Sequence, residues 1–178
     1  MAVLNPERTP IKELLKACTV KLTDPAGKLL GTGFFVTPRK LATCRHVFFN
    51  RDRLAVQVFC IEGQDAQFEV QPNYQAHPQL DLVMIDLGQE ISERSVDLKA
   101  ETNWQSQPLW AWTYSDGYPD GAGIVSDLKE AARHNGMDVY RISRDAFFSG
   151  SSGTPVLSED NRFIGIVYWV KEREIGRA

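Results

Sequence analysis

Short apolar runs, each interrupted by glycine, proline, asparagine or aspartate, are the feature that most limits how this chain can fold. Runs of this length with turn residues between them are typical of β-strands in barrels and sandwiches. The pattern therefore predicts an all-β protein. The runs that predict strands are residues 18–23, 29–36, 41–44, 54–61, 67–71, 82–87, 108–113, 121–128, 139–142, 154–157 and 163–170.

Outside these runs, the sequence predicts only one short helix and otherwise loops and turns. Residues 6–16 favour a short helix, because Ile11, Leu14 and Leu15 would share one face and proline is tolerated near a helix start. The polar segment 89–107 predicts a surface loop, and residues 129–135 a helical turn or a hairpin tip. A length of 178 residues suits a single β-barrel domain.

The charge and hydropathy of the chain argue against several classes of partner. A formal net charge of −3 gives no electrostatic basis for binding nucleic acid or an anionic membrane. No apolar run approaches the ~18 residues of a membrane-spanning helix. Residues 1–8 lack the apolar core of a signal peptide, so we expect a cytoplasmic location.

Three cysteines, Cys18, Cys44 and Cys60, match no zinc or redox spacing. Their odd number predicts buried free thiols in a reducing compartment. Cys44 precedes His46 by two residues, which raises a thiol nucleophile as an alternative. Because Cys44 ends an apolar run, we expect it to face the core, and the sequence predicts neither a metal nor a cofactor.

A glycine-rich loop at residues 150–155 reads GSSGTP and has the form GxSGxP. A serine hydroxyl is a weak nucleophile until an imidazole accepts its proton, and a carboxylate must orient that imidazole. Glycines beside the serine let backbone N–H groups converge on a developing oxyanion. The loop alone is also typical of an ordinary turn, so the rest of the chain must supply a base and an acid.

Candidates for the base and the acid lie at strand ends upstream of this loop. His46 follows the run 41–44, and Asp81 opens the run 82–87. Each has an ordinary explanation by itself: a histidine at a strand end and a surface acid. The order His, Asp, Ser is nevertheless one of the known orders of a Ser-His-Asp triad.

Other residues are alternatives to these three. His77 and His134 are expected at the surface, and Asp86 lies at the far end of its strand. Ser149 and Ser151 flank Ser152, but only Ser152 has the glycine spacing of the motif.

Five segments, in order, carry a resemblance to a known family: GTGFFV at 31–36, LATCRHV at 41–47, DLVMIDL at 81–87, GSSGTP at 150–155 and GIVYW at 165–169. Over residues 18–170 the chain resembles the trypsin/chymotrypsin superfamily of serine proteases. Its spacing is most similar to the compact bacterial high-temperature-requirement peptidases. The resemblance implies a single domain over residues 1–178, with two antiparallel six-stranded β-barrels at about 18–90 and 105–170.

The resemblance also implies roles for individual residues. Ser152 would be the nucleophile, His46 the general base and Asp81 the orienting acid, with an oxyanion hole from the N–H groups of Gly150 and Ser152. Protein or peptide substrates would be cleaved through an acyl-enzyme. The residues implied in substrate binding are Ala146, Phe148, Ser149, Tyr168, Trp169 and Val170.

Two of these positions imply which substrate side chain is preferred before the scissile bond. Ala146 at the pocket base and branched Val170 at its wall favour small or medium apolar side chains before the scissile bond. A shift of one residue would place Asp145 at the base and favour lysine or arginine instead.

The chain departs from the family pattern at several positions. Val47 replaces a disulfide-forming cysteine, Ser151 stands where zymogens keep an activating aspartate, and Thr154 stands where glycine or alanine is usual. The family has a further strand beyond the position of Val170, so we expect a different closure or a longer protein. Such domains are often modules switched by a regulatory domain or activating partner. The alternatives are a silent protease-fold module that binds peptide without cleavage, and an esterase.

Overall fold

A computed structural model of the protein describes residues 10–99, 108–126, 130–134, 137–141, 147 and 149–168. Within these ranges one α-helix precedes a long series of antiparallel strands, which confirms the predicted all-β fold and the short helix. The elements are α1 (Ile11–Cys18), β1 (Thr19–Thr23), β2 (Leu29–Thr37), β3 (Lys40–Thr43), a 3-10 turn (Arg45–Val47), β4 (Phe49–Asn50), β5 (Arg53–Leu54), β6 (Val58–Ile61), β7 (Gln67–Glu69), β8 (Tyr74–Ala76), β9 (Val83–Asp86), β10 (Leu109–Ser115), β11 (Tyr118–Ser126), β12 (Glu130–His134), β13 (Met137–Arg141), β14 (Pro155–Ser158) and β15 (Phe163–Ile166).

The strands form two main sheets, one in each half of the chain. The first has seven strands in the order β7-β6-β1-β2-β3-β9-β8, and the second has four in the order β11-β10-β14-β15. The pairs β4–β5 and β12–β13 form separate two-stranded ribbons. Among the described residues, the two main sheets therefore have seven and four strands, whereas the prediction was two barrels of six strands each.

The strand predictions need correction at one split run and two missed strands. The run 54–61 is split into β5 and β6, because the N–H groups of Ala55 and Val56 both donate to Phe48 O, at 2.8 and 3.0 Å. This convergence interrupts the alternating ladder of a strand. Strands β4 and β8 were not predicted. Of the two alternatives for residues 129–135, the hairpin is confirmed and the helical turn is not, because β12 pairs with β13 from Glu130↔Arg141 to His134↔Met137.

A cluster of buried aromatic rings forms the core of the first sheet. Phe48 and Phe59 lie with ring centroids 4.9 Å apart, and Phe59 and Phe68 lie 5.6 Å apart. Burial of each such side chain contributes roughly 1.5–3 kcal/mol. The strand ends that border the functional site are therefore anchored on a rigid core.

A second cluster joins the two sheets. Phe34 and Ala42 of the first sheet pack with Trp112 and Leu157 of the second, and all four are buried. Leu15 of α1 is 1% exposed and completes the cluster. Helix α1 thus seals the junction of the sheets, and the side chains that face each other across that junction keep a fixed separation.

Candidate active site

His46 lies in the 3-10 turn that directly follows β3. Burial of Val47 beneath this turn directs the neighbouring His46 side chain, which is 42% exposed, toward solvent. The N–H of Arg45 donates to the backbone O of Asp81 at 3.3 Å, which ties the turn to the start of β9. The two strand ends that the sequence singled out therefore meet.

The imidazole of His46 bridges an acid and a hydroxyl. Its Nδ1 atom contacts Oδ2 of Asp81, and its Nε2 atom lies 2.9 Å from Oγ of Ser152. The backbone N–H of His46 also donates to Oδ1 of Asp81 at 2.9 Å. Three side chains from separate parts of the sequence thus form one continuous hydrogen-bonded line.

The charge of Asp81 is favoured by its surroundings. Burial by itself would raise the pKa of this carboxyl, but the hydrogen bond and charge of the His46 ring and the backbone N–H groups of His46 and Arg45 outweigh it. The net result is a pKa below the ordinary value of 3.8. Asp81 is therefore an anion at neutral pH, and as an anion it accepts the Nδ1 proton of His46.

Backbone hydrogen bonds hold the loop that carries Ser152, residues 149–153, which we call the nucleophile loop. The N–H of Thr32 donates to Ser152 O at 2.9 Å, and the N–H of Gly153 donates to Val167 O at 3.0 Å. Thr32 belongs to β2 of the first sheet, and Val167 directly follows β15 of the second. The loop is therefore fastened to both sheets.

Two N–H groups of the nucleophile loop, those of Gly150 and Ser152, donate to no backbone carbonyl among the described residues. Ser149 O accepts the N–H of Asp116 at 2.9 Å, and Ser151 O accepts the N–H of Thr154 at 3.1 Å. In a trans peptide the N–H points opposite to the preceding carbonyl, so both free N–H groups point away from these partners.

Glycine is required at two positions of the loop. Gly150 has φ +98°, and a Cβ there would lie 2.4 Å from Leu29 Cδ2. Gly153 has φ +95°, and its Cβ would lie 1.9 Å from Thr32 O. At Gly153 a side chain is excluded by the backbone oxygen of Thr32 as well as by the left-handed backbone, whereas at Gly150 the left-handed backbone is the main obstacle because the end of the Leu29 side chain is flexible.

Replacing Gly153 by alanine is expected to destabilise the protein more than the backbone conformation alone would explain. Gly27→Ala is the matched control, because Gly27 has φ +86° with nothing within 4 Å of an added Cβ. We expect about 1–2 kcal/mol for the control and more than about 4 kcal/mol for Gly153→Ala. Urea unfolding would measure both, and equal losses would contradict the steric account.

The structure describes two of the remaining residues predicted to bind substrate. Tyr168 is 45% exposed, and its ring stands edge-on to His46 with centroids 6.2 Å apart. Ser149 is exposed beside the nucleophile loop. The predictions for Ala146, Phe148, Trp169 and Val170, and for Asp145, lie outside the described residues.

The alternatives to the three site residues have other contacts. Asp86 lies at the far end of β9 and accepts two hydrogen bonds from the Arg39 guanidinium, from Nε at 3.0 Å and from Nη2 at 3.1 Å. His77 is only half-exposed, and its Nδ1 accepts the N–H groups of Gln79 and Leu80, which shapes the loop before Asp81. Ser151 is fully buried. The side chain of His134 lies outside the described part of the chain.

Cys44 is buried beneath the site, as expected from the sequence. Its side chain is 0% exposed, and Sγ donates to Val167 O at 3.3 Å. Burial and the nearby Asp81 charge strongly raise the pKa of this thiol, so it stays protonated and cannot act as a nucleophile. Cys18 is likewise buried, whereas Cys60 is only half-buried, which corrects the prediction of three buried thiols.

Cys44, His46 and Asp81 also form a set of potential metal ligands, with donor atoms within 4.8 Å of one another. A metal would require the protonated thiol to ionise, and it would displace the contact between His46 and Asp81. The arrangement fits a hydrogen-bonded line better than a metal centre.

Sequence reasoning missed the residues that support the loop from a distance. Thr32 and Asp116 hold it through contacts that no local motif reveals. The one sequence signal that could have indicated Thr32 was its position as the second residue of the GTGFFV segment.

Comparisons with known proteins identify the family of this chain. The trypsin-like peptidase domain family matches residues 31–166. No curated protein matches the sequence significantly. Within the described residues, no helix has the length and apolar character needed to cross a membrane.

Several solved proteases share the fold. The inactive form of the Rv3671c protease of M. tuberculosis has a TM-score of 0.68 and 19% identity, with 91% of this chain and 82% of that chain covered. Tobacco vein mottling virus protease has a TM-score of 0.64 and 16% identity, and the match covers 98% of this chain and 80% of that chain. The HtrA-type protease AlgW has a TM-score of 0.61 and 13% identity, covering 89% of this chain and 58% of its own.

These similarities confirm the chymotrypsin-type fold and the resemblance to HtrA-type proteases. The matched segment, residues 31–166, contains His46, Asp81 and Ser152. The chain belongs to the trypsin-like peptidase domain family, and it is a serine protease.

Proposed function

We propose that this protein is an endopeptidase that cleaves proteins or peptides with Ser152, His46 and Asp81 as its catalytic triad. The observation that carries the proposal is the 2.9 Å contact between Ser152 Oγ and His46 Nε2, with the other ring nitrogen of His46 on Asp81. A serine and a base at this distance, with the base oriented by a third group, form an activated nucleophile.

The reaction proceeds in two halves. In the first, Ser152 Oγ attacks the peptide carbonyl while His46 Nε2 accepts its proton, and His46 then protonates the leaving amine. In the second, water attacks the acyl carbonyl while His46 Nε2 accepts its proton, and His46 returns that proton to Ser152 Oγ as the acyl–oxygen bond breaks and the product acid leaves. Asp81 stays ionised throughout and stabilises the charged imidazole, which agrees with its lowered pKa.

The oxyanion of each tetrahedral intermediate would be bound by the N–H groups of Gly150 and Ser152. Support comes from the preceding carbonyls of Ser149 and Ser151, which are held by Asp116 and Thr154 on the opposite side of each peptide. An N–H donor of this kind contributes about 3 kcal/mol to the transition state. Preorganised donors strengthen interactions with the transition state specifically, and this raises kcat.

The proposed substrate is a polypeptide that binds beside His46 and Ser152. The exposed ring of Tyr168 beside His46 offers an apolar surface next to the reacting groups. The sequence at Ala146 and Val170 favours a small or medium apolar side chain before the scissile bond. A cleavage profile on a proteome-derived peptide library would give this preference.

Labelling with a fluorophosphonate probe tests the proposed mechanism, because the probe reacts only with an activated serine. We expect the wild-type protein to be labelled at Ser152, as identified by mass spectrometry of the labelled peptide. Absence of labelling, together with peptide binding, would favour a silent protease-fold module. Turnover of small esters with no peptide cleavage would favour an esterase.

A further inference from the structure

Three fully buried threonines, Thr32, Thr113 and Thr154, surround the nucleophile loop. A buried hydroxyl needs a hydrogen-bond partner, since leaving one unpaired costs about 1–3 kcal/mol. Valine has nearly the same shape and would fill each place without that requirement. The partners of these hydroxyls therefore indicate what the threonines do.

The hydroxyl of Thr154 binds the carbonyl that precedes the nucleophile. Thr154 Oγ1 donates to Ser151 O at 2.7 Å, and the same carbonyl accepts the backbone N–H of Thr154 at 3.1 Å. Because the single hydroxyl hydrogen of Thr154 is used in this way, Thr113 must be the donor in the 2.7 Å contact between Thr113 Oγ1 and Thr154 Oγ1. A directed chain runs from Thr113 through Thr154 to the Ser151 carbonyl.

This chain fixes the peptide plane between Ser151 and Ser152. A rotation that reversed the direction of the Ser152 N–H would break two hydrogen bonds to the Ser151 carbonyl instead of one. The second bond adds about 1 kcal/mol to the cost of that rotation. Thr154 therefore acts on the orientation of a proposed oxyanion donor.

Thr32 fixes the adjacent peptide plane from the first sheet. Its hydroxyl lies 2.9 Å from Tyr114 O and 3.0 Å from Gly150 O, so its one hydrogen is shared between two carbonyls. The hydroxyl oxygen in turn accepts the N–H of Tyr114 at 3.2 Å. The carbonyls of Gly150 and Ser151, on the two sides of residue 151, are thus both held by threonine hydroxyls.

We propose that Thr154, supported by Thr113 and assisted by Thr32, is a positioning residue that holds the nucleophile loop in its reactive form without an ion pair. The proposal rests on the function proposed above. Ser151 is fully buried and uncharged, so the loop does not need a cationic partner there. Threonine hydroxyls do not titrate in this pH range, so the support that they give to the loop does not depend on a protonated amino group.

The test compares Thr154→Val, which removes the hydroxyl, with Thr154→Ser, which keeps it. Hydrolysis of p-nitrophenyl acetate and the rate of fluorophosphonate labelling serve as the two readouts. We expect Thr154→Val to lower kcat and the labelling rate about fivefold with KM within about twofold of wild type, which matches the loss of one hydrogen bond of about 1 kcal/mol. Thr154→Ser should restore both rates, and Thr113→Val should show a smaller loss.

Thr19→Val is the matched control. Thr19 on β1 is 3% exposed, and its hydroxyl has no hydrogen-bond partner among the described residues. Removing this hydroxyl should leave both rates unchanged. A loss of rate equal to that of Thr154→Val would mean that any buried threonine matters, which would overturn the proposal.

A measurement that does not depend on activity separates the positioning role of Thr154 from the proposed protease function. The Ser152 amide resonance of 15N-labelled protein should shift in Thr154→Val and not in Thr154→Ser. Unchanged rates or an unshifted resonance in Thr154→Val would overturn the positioning role. If the wild type shows neither labelling nor ester hydrolysis, the proposed function is wrong, and the resonance shift alone then decides whether Thr154 orients the loop.

Discussion

Ser152→Ala is expected to lower kcat for peptide cleavage by about 10⁵- to 10⁶-fold, because the whole covalent pathway depends on this hydroxyl. The substitution removes one 2.9 Å contact with His46 Nε2 and leaves the backbone contact between Thr32 and Ser152 O intact. The melting temperature should therefore stay within about 3 °C of wild type. Single-turnover kinetics on a library-derived peptide and a thermal scan would measure the two effects.

Ser92→Ala is the control for this variant. Ser92 Oγ donates to Arg94 O at 2.6 Å within the loop that follows β9, and the substitution should leave activity at the wild-type level. A Ser152→Ala protein that kept more than about 1% of wild-type kcat would contradict the nucleophile assignment, since triad members normally contribute far more than that.

Asp81→Asn is expected to lower kcat about 10⁴-fold with the fold intact. An asparagine oxygen can still accept the backbone N–H of His46, which Asp81 Oδ1 accepts at 2.9 Å. The asparagine NH₂ would then face Nδ1 of His46 and donate to it, which places the ring proton on Nε2. That tautomer cannot accept the proton of Ser152, so geometry is kept while the base is lost.

Asp86→Asn is the control for the acid. Asp86 lies at the other end of β9 and pairs with Arg39, so its loss should leave kcat unchanged. Equal losses in the two variants would show that the effect comes from β9 as a whole and not from the carboxylate beside His46.

Acid stability gives a second readout for Asp81. Its pKa in the folded protein lies below 3.8, so the unfolded chain takes up the proton first as the pH falls. The stabilisation from the Asp81 anion is therefore present above 3.8 and is lost as the pH falls through 3.8 to the lower folded pKa. The difference in melting temperature between wild type and Asp81→Asn should shrink over that interval. A difference that stayed constant would contradict the lowered pKa.

Local patterns in the sequence were enough to locate the three proposed catalytic residues. His46 and Asp81 stand next to apolar runs that became β3 and β9, and Ser152 lies between glycines. These signals are local because a strand end or a tight turn is set by a few neighbouring residues. The family resemblance then supplied their grouping, and the structure places their reacting atoms in contact.

Strands without a local apolar pattern could not be predicted in this way. Strand β8 forms only because β9 offers it a partner, from Tyr74↔Ile85 to Ala76↔Val83. The break at Ala55 and Val56 depends on the Phe48 carbonyl, which lies in another turn. In both cases a pairing partner outweighed the intrinsic preference of the segment.

The sequence by itself determined an all-β chain, its family and the chemical types of its reactive residues, since these follow from periodicity and from motifs of a few residues. Only the tertiary structure decided how the nucleophile loop is held. Thr32 reaches Gly150 across 118 residues of sequence, and Thr113 reaches Thr154 across 41. The first contact exists because the two sheets dock through a shared buried cluster, and the geometry of that docking is a property of the whole packed core. The second exists because β10 pairs with β14 within the second sheet, which brings two distant segments of the chain side by side.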